Sequence, residues 1–299
     1  MDIRAIGMGV LFAVMWASAF TSARMIVADA PPITALAIRF WISGGIGVGL
    51  ALALGQTARL DRLQWRGTVI FGLCQNALYL GLNFVAMQTV QASLAAIIAS
   101  TMPLVVAFSG WALMGEKTRP LGLAGLVAGV AGVALIMGSR LSGGADLYGV
   151  TLCIAGVVAL AIATLSVRGA SSGGNLLMIV GLQMLVGAAV LSVFAVLFET
   201  WDVTWSVQMI AAFIYTTLVP GLAATVVWFM LVNRIGAVRA ATFHFLTPPF
   251  GVGIAALLLG ESMGMIDAVG VAIIALGILA VQMSKVEAKA KSGCEVSAS

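Results

Sequence analysis

The sequence predicts an all-α membrane protein of ten transmembrane helices in two inverted five-helix repeats. Three observations carry this prediction. The chain of 299 residues is 62% hydrophobic and 9% charged, with mean hydropathy +1.13. Its apolar residues gather into ten runs of about bilayer length, separated by short polar breaks. A pattern of proline, Gly-Glu and small residues recurs at one fixed offset along the chain. A soluble domain is about one quarter charged, so most of this chain is built to avoid water. A β-barrel would alternate over segments of about ten residues, and this chain does not.

The expected spans are residues 5–27, 33–54, 67–87, 90–114, 120–138, 147–167, 176–198, 207–232, 237–260 and 265–283. The connections are too short to house a soluble domain. Residues 284–299 are polar and are expected to form a disordered cytoplasmic tail. The opening IRAIGMGVLFAVMWASAFTSA has the outline of a signal peptide. Its charged flank is weak and it completes one of the repeats, which favours a retained span. Cys74, Cys153 and Cys294 are too scattered for a metal site or a disulfide framework.

Orientation follows from the basic residues. With the N-terminus in the cytoplasm, twelve of the fifteen Lys and Arg fall on that side: Arg4, Arg59, Arg62, Arg66, Lys117, Arg119, Arg168, Arg234, Arg239, Lys285, Lys289 and Lys291. This is a strong positive-inside bias and predicts cytoplasmic termini. The net charge of +4 then requires no nucleic-acid partner.

The repeat emerges on shifting the sequence by 145 residues. Pro103 meets Pro248, and Gly115-Glu116 meets Gly260-Glu261. Ala92, Ala95, Ala96 and Leu113 meet Ala237, Ala240, Ala241 and Leu258, while Gly125 and Gly132 meet Gly270 and Gly277. The units expected are residues 1–140 and 146–283. Five spans per unit is odd, so the second unit enters the membrane upside down. The charges agree: Glu116 is followed by Lys117 and Arg119, whereas Glu261 is followed by the base-free SMGMID. Inverted repeats characterise secondary transporters, whose substrate site lies near the midplane between the halves.

Trp16-Ala17-Ser18-Ala19-Phe20 in span one, Arg39-Phe40 in span two, and the proline followed by Gly-Glu at the ends of spans four and nine carry a family resemblance. To about residue 283 the chain resembles the EamA branch of the drug/metabolite transporter superfamily, and within it the YddG-type aromatic amino-acid exporters. The resemblance implies ten helices in two inverted repeats, export of metabolites or amino acids, and peripheral supporting roles for spans five and ten. It identifies the fold better than the substrate. Residues 14–20 lack the glutamate with which small multidrug pumps exchange protons for cationic drugs.

Several residues are candidates for a substrate cavity. Asn76, Tyr79 and Asn83 share one helical face of span three, either lining a wet cavity or gluing helices together. The repeat offset maps them onto Gly221, Ala224 and Trp228 of span eight, an apolar and aromatic counterpart. Tyr215 and Pro220 share that span, where the proline either gates or only kinks. His244, the only histidine, is a ligand or proton site, or an internal hydrogen-bonding group. Thr247 follows it, Thr101 precedes Pro103, and Trp16 lies too deep for an interfacial belt. Arg39 either meets a substrate carboxylate or snorkels to the surface. The expected substrate-binding set is Trp16, Asn76, Tyr79, Asn83, Thr101, Tyr215, Trp228, His244 and Thr247, with Asn76, Asn83 and His244 holding a zwitterion and the aromatics its side chain.

There is no H-E-x-x-H, acidic metal cluster, pair of carboxylates or P-loop, so neither an enzyme nor direct ATP drive is expected, and no cofactor or metal. The expected partners are a small-molecule substrate and the lipid bilayer of a bacterial cytoplasmic membrane. Monomer and homodimer both remain open. The alternatives are export of another small solute (a nucleoside, sugar or drug-like molecule) and a receptor or scaffold with no transport cycle.

Overall fold

The computed structural model describes residues 3–114, 120–142, 144–166, 175–235, 240 and 242–296. All regular structure among them is helical: α1 (Ile3–Asp29), α2 (Pro32–Ala53), α3 (Arg62–Phe71), a π-helical segment (Gly72–Tyr79), α4 (Leu80–Ala86), α5 (Ala92–Ser100), α6 (Met102–Met114), α7 (Pro120–Ser142), α8 (Leu147–Ser166), α9 (Leu176–Phe198), α10 (Val207–Thr216), a second π-helical segment (Thr217–Ala223), α11 (Ala224–Ile235), a 3-10 turn (Thr242–Leu246), α12 (Thr247–Leu259) and α13 (Met265–Val296).

Seven helical stretches among the described residues are long and apolar enough to cross a bilayer: Ile3–Asp29, Pro32–Ala53, Arg62–Ala86, Pro120–Ser139, Leu147–Thr164, Leu176–Phe198 and Val207–Trp228. The other three expected spans correspond to shorter apolar helices, Ala92–Val106, Thr247–Leu259 and Met265–Val281. The repeat-related prolines interrupt regular α-helix in two of these spans. Pro103 has no N–H to continue a helix, so α5 ends at Ser100, Leu104 N–H turns back onto the Thr101 carbonyl at 2.8 Å, and α6 starts afresh. Before Pro248 the chain is a 3-10 turn, and Pro248 and Pro249 open α12, where a missing N–H costs nothing. In the tail, helix continues as far as Val296 where none was expected. The stretch KVEAKAK is rich in helix formers, which extend α13.

The helices pair through close backbone contacts. α7 lies along α13, and α2 along α9. A Cβ added at Gly125 would sit 2.6 Å from the Gly277 carbonyl oxygen, and one at Gly277 would sit 2.7 Å from that of Gly125. The same reciprocity joins Gly132 and Gly270, at 3.0 and 3.2 Å. Gly44 and Gly181 make an equivalent approach between α2 and α9. Small residues at such seams are how apolar helices associate where lipid is as apolar as leucine. α1 packs against α5, α10, α11 and α12, and α8 against α3, α4, α5 and α6. The outward surface is apolar: Leu257, Val196 and Val207 are each more than four-fifths exposed, which suits lipid and not water.

Acidic side chains close the helix ends. The Glu199 carboxylate accepts the N–H groups of Ile33 and Thr34 at 2.8 and 2.7 Å, capping α2 from the end of α9. Glu261 does the same for α5. Asp146 accepts the N–H groups of Tyr148 and Gly149 at the start of α8 and the Thr89 hydroxyl.

Candidate functional site

Both π-helical segments face the interior, and they begin at Gly72 and Thr217, the 145-residue spacing of the sequence repeat. A π turn inserts one residue into a helix and is frequent at functional positions. Around the first segment, the second segment and α1 lies a cavity of ≈ 50 Å³. α1 contributes Trp16, Ala19, Phe20 and Ala23, and α2 contributes Arg39 and Phe40. The first π segment and α4 contribute Gln75, Asn76, Tyr79, Leu80, Asn83 and Phe84, with Met87 beyond. Met184 of α9 and Pro220, Gly221 and Thr225 complete the lining.

The cavity has a polar side and an aromatic side. Asn76 Nδ2 donates to the Gln183 carbonyl at 2.9 Å, so this side chain ties α9 to the cavity wall while lining it. Asn83 Nδ2 donates to the Tyr79 carbonyl at 2.8 Å within its own helix, leaving Asn83 Oδ1 buried without a hydrogen-bond partner. Tyr79 is fully buried. Arg39 is 5% exposed, its guanidinium lies 5.2 Å from the centre of the Phe40 ring, and its Nε has no hydrogen-bond partner. Gly221 leaves room for it: an added Cβ there would be 3.4 Å from Arg39 Nη2 and 3.5 Å from Ser43 Oγ. Ser43 in turn donates to the Thr217 carbonyl at 3.3 Å, a bond from α2 that supports the proline-containing segment.

Trp16 joins the cavity to a second cluster nearer the N-terminus of α1. There the His244 ring is surrounded by Phe12, Trp16 and Trp228, with centroids at 5.4, 6.2 and 5.2 Å. Phe12 and Trp228 are themselves 4.7 Å apart. His244 and Trp228 therefore form an aromatic layer beside the cavity and do not line it. Tyr215 also lies outside the lining, and its hydroxyl meets Ser18 Oγ at 2.7 Å, linking α10 to α1. Thr101 turns back to the Ile98 carbonyl at 2.7 Å, and Thr247 is buried with its hydroxyl unpartnered; neither lines the cavity.

Of the nine expected residues, the cavity brings together Trp16, Asn76, Tyr79 and Asn83. Among the lining residues that sequence reasoning did not single out are Gln75, Leu80, Phe84, Met87, Met184 and Thr225, and it left Arg39 undecided. The face of Asn76, Tyr79 and Asn83 continues by one turn to Met87, so that residue was within reach of the pattern. Met184 carries no such signal.

The bilayer-length apolar helices and the partly polar cavity among them are those of a multi-pass membrane protein. The chain belongs to the EamA-like transporter family, whose model matches it twice, over residues 3–138 and 147–283. Among similar proteins, the uncharacterized transporter YvbV of Bacillus subtilis (strain 168) is 24% identical over 278 residues, spanning 93% of this chain and 91% of its own. The uncharacterized inner membrane transporter YedA of Escherichia coli (strain K12) is 26% identical over 289 residues, spanning 93% and 90%. Protein PecM of Dickeya dadantii (strain 3937) is 24% identical over 272 residues, spanning 88% and 86%. One crystal structure of a protein matches with TM-score 0.67 at 21% identity, covering 94% of this chain and 98% of its own, a likeness of fold.

Proposed function

We propose that the protein is a secondary transporter that exports neutral and aromatic amino acids, and related small metabolites, by alternating access. The observation that carries this reading is the cavity itself. It lies between α1, α2 and the two π segments, and it sets Trp16, Phe20, Phe40, Tyr79 and Phe84 around Asn76 and Asn83. Aromatic rings suit an apolar or aromatic body, and convergent amides suit a polar head. In this reading Trp16, Asn76, Tyr79 and Asn83 contact the substrate directly. Trp228, His244, Tyr215, Thr101 and Thr247 form the surrounding layer that repacks as the cavity changes sides.

The proposed architecture is ten spans in two inverted repeats, residues 1–140 and 146–283, with residues 284–299 as a tail. The twofold family match, the 145-residue spacing of the π segments and the reciprocal glycine contacts of α7 and α13 support it. The distribution of basic residues supports cytoplasmic termini in a bacterial inner membrane. Kinship with the YddG-type aromatic exporters rests on the sequence features already described.

The test is uptake of radiolabelled tryptophan, threonine and methionine by liposomes holding the purified protein, with and without a pH gradient. Saturable uptake is expected, with Tyr79→Ala weakening it. Liposomes that moved a nucleoside or sugar and none of the three amino acids would overturn the substrate assignment.

A further inference from the structure

The cavity contains two buried polar atoms of opposite character, both without partners. Arg39 Nε is a donor on a permanently charged group, and Asn83 Oδ1 is an acceptor. Both side chains are more than nine-tenths buried, Arg39 at 5% exposed and Asn83 at 1%. Among the described residues lining the cavity there is no carboxylate to neutralise the guanidinium. A buried, unpaired cation is costly, and structures normally supply it with a counter-charge. The orientation of the Asn83 amide is fixed by its Nδ2 donating to the Tyr79 carbonyl, so Oδ1 is the end left over. Gly221 lies beside Arg39 Nη2, where an added Cβ would come into van der Waals contact with the guanidinium at 3.4 Å.

We propose that Arg39 and Asn83 are the two poles of a zwitterion site: the guanidinium binds the substrate carboxylate, and Asn83 Oδ1 accepts from the substrate ammonium. This deepens the transport reading above and rests on it for the identity of the ligand class. Guanidinium and carboxylate match in shape and charge, which makes this the stronger pole. The Asn83 carbonyl favours an N–H donor without adding a negative charge, so a bare amine gains little. A single cation in the cavity also sets the charge class. It fits a monocarboxylate and leaves a dianionic phosphate half-neutralised.

The experiment is thermal protection of the purified full-length protein in detergent, read alongside uptake in liposomes. Four probes are compared: L-tryptophan, its methyl ester, tryptamine and indole-3-propionate. Tryptophan is expected to protect best, indole-3-propionate less, and the ester and tryptamine least. Arg39→Gln is expected to weaken tryptophan binding by about tenfold or more, with Arg39→Lys recovering part of it. Without ligand, Arg39→Gln should melt no lower than the parent, because it removes an unpaired buried charge. A purely structural arginine would lower that melt. Asn83→Ala is expected to narrow the preference for tryptophan over indole-3-propionate. Equal protection by ester and acid, unchanged tryptophan affinity in Arg39→Gln, or no protection by any carboxylate would overturn the proposal. Arg39-dependent binding of tryptophan with no uptake of any amino acid would instead sink the transport reading and leave the zwitterion site standing.

Discussion

The carboxylate of Glu261 accepts the backbone N–H of Ala92 at 2.8 Å, across 169 residues of sequence, and that of Ser93 at 3.0 Å. These are two of the N–H groups that the first turn of α5 cannot bond internally. The arrangement explains why glycine precedes this glutamate. Gly260 has φ 65°, the left-handed conformation that ends α12 and swings the next residue back across the bundle. Glu261→Ala is expected to destabilise by about 1–2 kcal/mol, with Glu261→Gln in between. A thermal melt in detergent reads this directly, and an unchanged midpoint in Glu261→Ala would refute the capping role.

The glycine seam between α7 and α13 predicts a large effect of position. Gly125→Leu forces side-chain atoms into the Gly277 backbone and is expected to cost about 1–3 kcal/mol or prevent assembly. Gly49→Ala in α2 meets nothing within 4 Å and is expected to be neutral or to stabilise by about 0.5–1 kcal/mol. Comparing the two melting midpoints checks the seam against a general glycine effect.

Asp146 lies outside the spans. The Thr89 hydroxyl, at 2.6 Å, and the backbone N–H groups of Gly149 and Tyr148 hold its carboxyl below its ordinary 3.8. A carboxyl depressed on folding stabilises fully above its ordinary value and loses that contribution as pH falls through the depressed one. Asp146→Asn should therefore melt lower than the parent near neutrality, with the gap closing in acid. Thr89→Val should move the closing point to higher pH. A gap that stayed constant across the titration would show that ionisation of Asp146 is irrelevant to stability.

Solvent access separates a transporter from a receptor or scaffold. In a background carrying Cys74→Ala, Cys153→Ala and Cys294→Ala, the variants Tyr79→Cys and Asn83→Cys are expected to react with a charged thiol reagent. Ala13→Cys, buried in the packing of α1, should stay silent, and Trp228→Cys should react more slowly than Tyr79→Cys. Protection of positions 79 and 83 by tryptophan would tie the wet space to the ligand. Silence at both positions would leave no aqueous path to the cavity.

The 2.7 Å contact between Ser18 Oγ and Tyr215 OH joins α1 to α10. Ser18→Ala and Tyr215→Phe are each expected to cost about 0.5–1.5 kcal/mol, and the double variant no more than the larger single one. Additive losses would mean that the two hydroxyls act independently.

What was legible in the sequence is what periodicity and composition encode. Asn76, Tyr79 and Asn83 recur with helical spacing, and they do share the cavity wall. The counterpart face lost its register at the far end. Gly221 reaches the cavity, while Trp228 turns to His244 and Phe12, because tertiary packing and the 3-10 turn at Thr242–Leu246 choose the neighbours there. Thr101 satisfies its hydroxyl on the preceding turn, as serine and threonine in helices commonly do, which no spacing rule distinguishes from lining a cavity. Arg39 was ambiguous because its burial depends on neighbours distant in the chain, among them Gly221, 182 positions away. Two spans add a local limit: hydropathy measures an apolar run, while Pro103 and Pro248 interrupt the regular helix within it.

The π segments make the residue count of two spans part of the site. Each holds one residue more than an α-helix needs for the same rise. Deleting a single residue within Gly72–Tyr79 would allow that stretch to revert to regular helix at nearly the same rise and rotation, so that everything beyond it keeps its face. Asn83 and Phe84 would still face the cavity, while Gln75, Asn76 and Tyr79 would lose the widened turn that sets their wall. A deletion in these two windows is thus a different kind of lesion from one elsewhere: here straightening of the turn absorbs it, whereas in an ordinary stretch of helix it turns every later residue by about 100°.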